Sequence, residues 1–549
     1  MNPLIVLISS IGGRLLGERL PSVIESASPT SHARSRITAI LSLATVSAPC
    51  ASPLHAQPAV NDPDLAVRTV VSGLTQPINL GFLRENDFLI TEKSTGQVKR
   101  VVNGAVTATV LDLPVNSASE RGLLGMALHP DFERTKWVYL FWTESSTGAD
   151  STVLAEVGNP SSPYAPGTPQ PFGNRVDRFV WDRRTQTLRF DRNIAVLRAY
   201  QADANQPLRG NHNGGLIRFE KRGEGHGRGH WSHGDGWGRH KDTREKLFVI
   251  VGDNGRRGML QNLLRGPSGP GVPDDQFGGP EPDNAHLTGV VLRLNDDGST
   301  PRDNPFYEYG ASLGGEEGAN LQKVFAYGIR NSFGLAVDPL SGELWQSENG
   351  DDTFDEINRI EAGQNSGWIQ VMGPLVRITE FKGIETTFPT PPGSLQQVRW
   401  PPGNIADSPI TARARMVDLP GSHYADPQFS WKYATAPAAI GFMGDRSLGA
   451  DYEGDLFVGA SLPVLTGGYL FRFKLSENRR RLTWSDPRLA DLVADNTAKH
   501  NPTESESLAF GTGFGVSTDI QTGPDGNLFV VSSSTGSVYE IYRPGRRDR

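Results

Sequence analysis

Six short segments of the chain follow one pattern: a turn residue or charge, a run of apolar and aromatic residues, then an acidic or small residue. They are Asp87-Phe-Leu-Ile-Thr-Glu92, Trp137-Val-Tyr-Leu-Phe-Trp-Thr-Glu144, Lys246-Leu-Phe-Val-Ile-Val-Gly-Asp253, Glu343-Leu-Trp-Gln-Ser-Glu348, Asp455-Leu-Phe-Val-Gly-Ala-Ser461 and Asn527-Leu-Phe-Val-Val-Ser-Ser533. Each has strand length. Several follow a turn signal such as Ser341-Gly342, Glu453-Gly454 or Pro524-Asp525-Gly526, and several lead through Gly into a second β run, at 96–101, 289–294, 468–473 and 536–541. Such pairs read as hairpins. Six units of this kind, without long helical periodicity, predict an all-β fold, a six-bladed β-propeller whose blades are four-stranded sheets, over residues 60–545. The copies are unevenly spaced, which predicts long inserted loops, and loops are where such a scaffold carries function.

Composition agrees. The 549 residues include 62 glycines and 39 prolines, too many structure breakers for a helical bundle, while 37% apolar and 21% charged residues exclude wholesale disorder. A net charge of -7 gives no electrostatic footprint for a polyanion, so nucleic acid is not expected as a partner. The single cysteine, Cys50, leaves no disulfide, Cys-based zinc site or thiol nucleophile within one mature chain.

Residues 1–56 read as an N-terminal extension with an export signal. Arg34 and Arg36 precede the apolar run 37–48, and small residues and prolines lead to a cleavage site near Ala56. The expected location is periplasmic or secreted. No later apolar stretch reaches the ~18 residues of a membrane span. Residues 220–245 form a Gly-rich insertion with four histidines, His226, His230, His233 and His240. Imidazoles suit a transition metal, but the entropy of ordering such a segment favours a solvated loop.

Three segments carry chemistry. Asn211-His212-Asn213-Gly214-Gly215 opens the apolar run 216–219, and the companion strand across the insertion ends in Gly252-Asp253. If the two strands pair, Asp253 comes near His212 and orients its imidazole as a general base. Arg330 and Asn331 lie in a Gly-bracketed turn before the run 335–337. The loop 348–356 then holds five acidic groups in nine residues, a density of hard oxygen donors that suits Ca²⁺, with backbone carbonyls near Gly350 and carboxylates as ligands.

Together with Glu120-Arg-Gly-Leu-Leu-Gly-Met-Ala-Leu-His-Pro-Asp-Phe132, Leu292-Arg-Leu-Asn-Asp-Asp-Gly298 and Gly363-Gln-Asn-Ser-Gly-Trp368, these segments resemble the soluble pyrroloquinoline quinone (PQQ) dependent sugar dehydrogenases, the glucose/sorbosone dehydrogenase family. The resemblance runs from about Val67 to Tyr542. It implies PQQ over a central channel beside Ca²⁺, with Gly350, Asp351 and Asp355 on the metal. It further implies oxidation of an aldose or polyol, His212 as the base supported by Asp253, Arg330 stabilising charge on the quinone, Asn331 and Glu120 contacting the cofactor, and an external electron acceptor. The chain departs from the family where a lysine and an arginine pair hold the PQQ carboxylates: segments 460–468 and 511–519 lack a basic residue. Arg256 and Arg257 are expected to supply the missing cations. The alternative reading is a Ca²⁺-dependent propeller without quinone, acting as a carbohydrate-binding or interaction module or as a lactonase-like hydrolase.

Overall fold

A computed structural model describes residues 57–200, 208–221, 244–255, 287–387, 403, 405–462 and 467–545. Cys50, the export signal and most of the histidine-rich insertion lie outside them, as do Arg256 and Arg257.

The strands form an all-β propeller whose main strands pair antiparallel, with short extra strands added in parallel at two sheet edges. Hydrogen bonding groups them into six sheets, and the six recurring segments fall one to each, always as the second strand: Asp87–Glu92, Trp137–Thr143, Lys246–Val251, Leu344–Glu348, Leu456–Ala460 and Leu528–Ser532. The expected hairpins form as well. Gln97–Val102, Val290–Asn295, Tyr469–Leu475 and Ser537–Tyr542 each pair with the recurring strand before them.

The expectation of six alike, local, four-stranded units is corrected in two respects. Five sheets take their main strands from one continuous stretch of chain, but the sixth is a joint: Ala66–Val71, near the N-terminal end, pairs with Ser537–Tyr542, near the C-terminal end. Only three sheets are four-stranded, and the other three carry one or two short extra strands. The insertions also hold short helices, among them Tyr307–Leu313, Gly315–Leu321, Ile378–Thr387 and Pro409–Arg415.

The core is divided among the gaps between sheets. One cluster stacks Trp345, Ile357 and Trp431 of one sheet against Phe442, Val458 and Phe471 of the next, and another sets Leu89 and Val98 against Met126 and Val138. Each sheet is therefore apolar on both faces, and its second strand reads as a continuous apolar run rather than an alternating one.

The first strands, Pro77–Arg84, Leu123–Leu128, Ile217–Phe219, Ser332–Val337, Pro437–Phe442 and Ser517–Thr522, pack side by side in that order, and the last returns to the first. They surround a central axis. Across it Arg218 Nη2 meets Asp519 Oδ1 at 2.8 Å, joining sheets that lie opposite one another in this order. Among the described residues no helix is long and apolar enough to cross a membrane.

Candidate active site

The axis holds a cavity of about 60 Å³. Ile78, Leu124, Leu216, Phe333, Ala438 and Thr518 line it, one from each first strand or the turn leading into it, and Lys93 and Glu120 stand in its wall. A smaller cavity shares Phe333, Asn349 and Ala436 with it and reaches Arg330 and Asp351.

His212 reaches this region through an unusual turn. It sits at φ 55°, and Gly214 and Gly215 follow at 63° and 104°, so three residues in five occupy the left-handed region where a side chain costs energy. The turn feeds Ile217–Phe219, which pairs antiparallel with Lys246–Val251, Ile217 opposite Val249. That pairing delivers Asp253 to the imidazole: His212 Nδ1 donates to Asp253 Oδ1 at 2.6 Å, and both side chains are buried. Between them Gly252 permits a close approach of backbones, since a Cβ there would lie 2.5 Å from the carbonyl oxygen of His212 and 2.8 Å from that of Arg330.

The carboxylate of Asp253 is itself fixed. Its Oδ2 accepts from Trp368 Nε1 at 2.8 Å and its Oδ1 from the Gly255 amide at 2.7 Å. With Nδ1 donating to Asp253, the other ring nitrogen, Nε2, carries the lone pair, and it has no hydrogen-bond partner among the described residues. The arrangement is that of a histidine base held in one tautomer by a carboxylate.

Glu120 and Asn331 complete this side. Glu120 Oε2 accepts from the His212 amide at 2.6 Å and from Asn331 Nδ2 at 3.2 Å, leaving Glu120 Oε1 and Asn331 Oδ1 without partners among the described residues. Arg330 is buried. Its amide donates to Glu348 Oε1 at 2.6 Å, its Nη1 to the Asn349 carbonyl at 2.8 Å, and its Nη2 lies 3.5 Å from Asp351 Oδ1. Its guanidinium stands 5.4 Å from the ring centroid of Trp368, so one indole touches both Arg330 and the carboxylate that orients His212. His212, Asp253, Glu120, Arg330 and Asn331 thus come together from four sheets and their loops.

Two lysines, Lys93 buried and Lys499 half-buried, were not legible in the sequence. Lys93 follows the first recurring strand. Its ammonium donates to the Ser119 carbonyl at 2.9 Å and the Ser117 carbonyl at 3.4 Å, and burial lowers its pKa to about 8. Lys499 comes from a distant loop and donates to the Asp351 carbonyl at 3.3 Å and to Asp352 Oδ1. Single lysines in loops look like solvated surface in a sequence, and only their positions beside acidic motifs hinted otherwise.

The acidic loop is bound up with its surroundings. Asp355 Oδ1 accepts from the Gly350 amide at 2.7 Å, and its Oδ2 from the amides of Thr435 and Ala436 at 2.6 and 2.7 Å. Glu348 and Glu356 lie directly opposite each other on paired strands. Burial, then the charge of Glu356, pushes the Glu348 carboxyl well up; burial also raises Glu356, to about 7. Glu385 accepts from the Asp352 amide at 3.0 Å, and burial beside Asp351 and Asp352 pushes its pKa well up.

These residues do not fit a ready-made Ca²⁺ site. Both oxygens of Asp355 serve amides, the Asp351 carbonyl accepts from an ammonium, and among the described residues no group of three or more His, Cys, Asp or Glu side chains is placed to hold a metal ion.

The family model for glucose/sorbosone dehydrogenase matches residues 74–162 and 241–382, which include Glu120, Asp253, Arg330, Asn331 and the acidic loop, while His212 lies between the two stretches. The quinoprotein glucose dehydrogenase B of Acinetobacter calcoaceticus is 24% identical over 500 residues, 86% of each chain. Over these stretches the chain is similar to the glucose/sorbosone dehydrogenase family. The aldose sugar dehydrogenase YliI of Escherichia coli is 27% identical over 306 residues, 55% of this chain and 61% of its own length. In fold, the chain resembles the crystal structure of the soluble aldose sugar dehydrogenase of E. coli, with a TM-score of 0.53 at 21% identity, covering 87% of this chain and 99% of the other.

Proposed function

We propose that the protein oxidises an aldose or a related polyol with PQQ as the resident cofactor. The observation that carries this reading is the unpartnered Nε2 of His212, buried beside the axial cavity with its other nitrogen held by Asp253. The residues present fit a planar, anionic group: the cavity walls are largely apolar, Lys93 and Arg330 supply buried cations, and Glu120 Oε1, Asn331 Oδ1 and Asn349 Oδ1 are buried polar atoms without partners among the described residues. Lys93, Arg330 and Asn331 would hold the cofactor. When bound, PQQ supplies a quinone that takes up hydride from the sugar carbon and passes the electrons to an external acceptor.

The chain's own residues do the rest. His212 Nε2 accepts the hydroxyl proton of the sugar, and Asp253 stabilises the imidazolium that forms. Trp368 and the Gly255 amide keep Asp253 from turning away. Arg330 places positive charge where negative charge develops, in a site with little water to screen it. Arg256 and Arg257 remain proposed as further cations.

In the same reading, the six sheets are the blades of one propeller over residues 60–545, and residues 1–56 direct the chain to the periplasm or the exterior. The test is reconstitution with PQQ, followed by reduction of a dye acceptor across a panel of aldoses. His212→Ala should abolish turnover and keep cofactor binding; retained turnover would exclude His212 as the base.

A further inference from the structure

The loop 348–356 has the composition of a calcium loop, yet it already contains its counter-cations. Asp351 and Asp352 are buried, and each faces one basic side chain: Arg330 Nη2 lies 3.5 Å from Asp351 Oδ1, and Lys499 pairs with Asp352 Oδ1 while donating to the Asp351 carbonyl at 3.3 Å. Glu385, a further buried carboxyl, accepts from the Asp352 amide at 3.0 Å. Asp351 and Asp352 therefore each have a cationic partner already in place.

Several of its oxygens are committed too. Asp355 spends both on amides, Asn349 presents its carbonyl to Arg330, and Glu385 Oε1 accepts from the Asp352 amide. Calcium takes six to eight oxygens at roughly 2.4 Å, and here it would meet a buried guanidinium and a half-buried ammonium instead. Nor is Lys499 a drifting surface chain. Next to it, the His500 amide donates to the Ala434 carbonyl at 2.8 Å, and Asn496 Nδ2 donates to the carbonyls of Tyr433, Ala498 and Asn501, so the loop that carries Lys499 is laced to the sheet beside the acidic loop.

We propose that Lys499 is the resident cation of the acidic loop, its ammonium taking the charge-compensating place of a divalent metal at Asp352 and the Asp351 carbonyl, so that this part of the loop is held without Ca²⁺. This goes beyond the proposed sugar oxidation and does not depend on it.

The test uses the purified full chain without PQQ, stripped with EGTA, and reads melting temperature and equilibrium dialysis of radioactive Ca²⁺ for the wild type, Lys499→Met, Lys499→Arg and Asp352→Asn. The wild type and Lys499→Arg should melt alike with and without millimolar Ca²⁺. Lys499→Met should melt lower without metal and recover by several degrees with Ca²⁺, because removal of the ammonium leaves two carboxylates for the ion. Ca²⁺ uptake by the wild type that Asp352→Asn abolishes would overturn the proposal, as would a Lys499→Met protein that keeps its stability and ignores Ca²⁺. If Lys499→Met does not fold, the wild type and Lys499→Arg still decide the matter. Failure of PQQ to bind would count against the dehydrogenase reading alone.

Discussion

His212 and Asp253 lie 41 residues apart in sequence and meet through a 2.6 Å hydrogen bond between Nδ1 and Oδ1, with the far nitrogen of the ring left unpartnered among the described residues. The bond fixes which nitrogen carries the proton. Asp253→Asn keeps the shape but offers an amide that turns the imidazole to the wrong tautomer, so kcat for aldose oxidation should fall by about 10²- to 10⁴-fold with little change in KM. Steady-state kinetics of the reconstituted protein check this. A fall confined to KM would mean that Asp253 only shapes the sugar site.

Lys93 should matter for cofactor binding and for stability in opposite senses. Loss of one charge-assisted contact of about 1.5 to 3 kcal/mol predicts that Lys93→Met weakens PQQ binding by roughly ten- to a hundredfold, read by equilibrium titration. With a folded pKa near 8 against 10.5 for the free side chain, the ammonium is disfavoured by folding, and the unfolded chain binds more protons between those values. Wild-type stability should therefore gain a contribution as pH rises from about 8 to 10.5, which Lys93→Met lacks. PQQ affinity should fall over the same rise, as the cation is lost.

Glu356 sets a pH dependence of the other sign. Its folded pKa of about 7 lies above 4.5 for the free side chain, so the folded state holds a proton that the unfolded state has released. Its contribution is fully present below pH 4.5 and is lost as pH rises through 7, a change of about 3 kcal/mol for the full shift. Denaturant titrations at pH 5 and pH 8 should show a smaller difference for Glu356→Gln than for the wild type.

The pair of Arg218 and Asp519 crosses the axis between sheets 301 residues apart in sequence, and Asp519 Oδ2 also accepts from the Leu80 amide at 3.1 Å. Arg218→Met leaves a buried carboxylate without its cation, so it should destabilise the protein by about 3 kcal/mol. Thermal or denaturant unfolding reads the loss, and a neutral effect would show that the pair is dispensable to ring closure.

The sequence carried the architecture further than the site. All six recurring segments are second strands, which is where a sheet covered on both faces demands an uninterrupted apolar run, and this made them visible. The first strands were harder to read. Ile217–Phe219 has three residues, and what matters around it is the left-handed backbone of His212 and its glycines, which a pattern of apolar residues does not encode.

The pairing of His212 with Asp253 was legible because a hairpin forces it. The partnership of Lys499 with Asp352, 147 residues away, was not, because it depends on how an inserted loop folds back onto another sheet. That same loop sets an ammonium against an acidic stretch that has the look of a metal site. The cavity that Ser461, Val516 and Thr518 line without a basic residue has Lys93 in its wall, a lone residue just past a strand.

The central claim is that this cavity holds PQQ for sugar oxidation, and the most direct measurement is a PQQ titration of the purified protein followed by aldose-dependent reduction of a dye. The account predicts saturable, stoichiometric binding, turnover with at least one aldose, and the loss of turnover but not of binding in His212→Ala. Protein that binds no PQQ and reduces no dye with any aldose would contradict it.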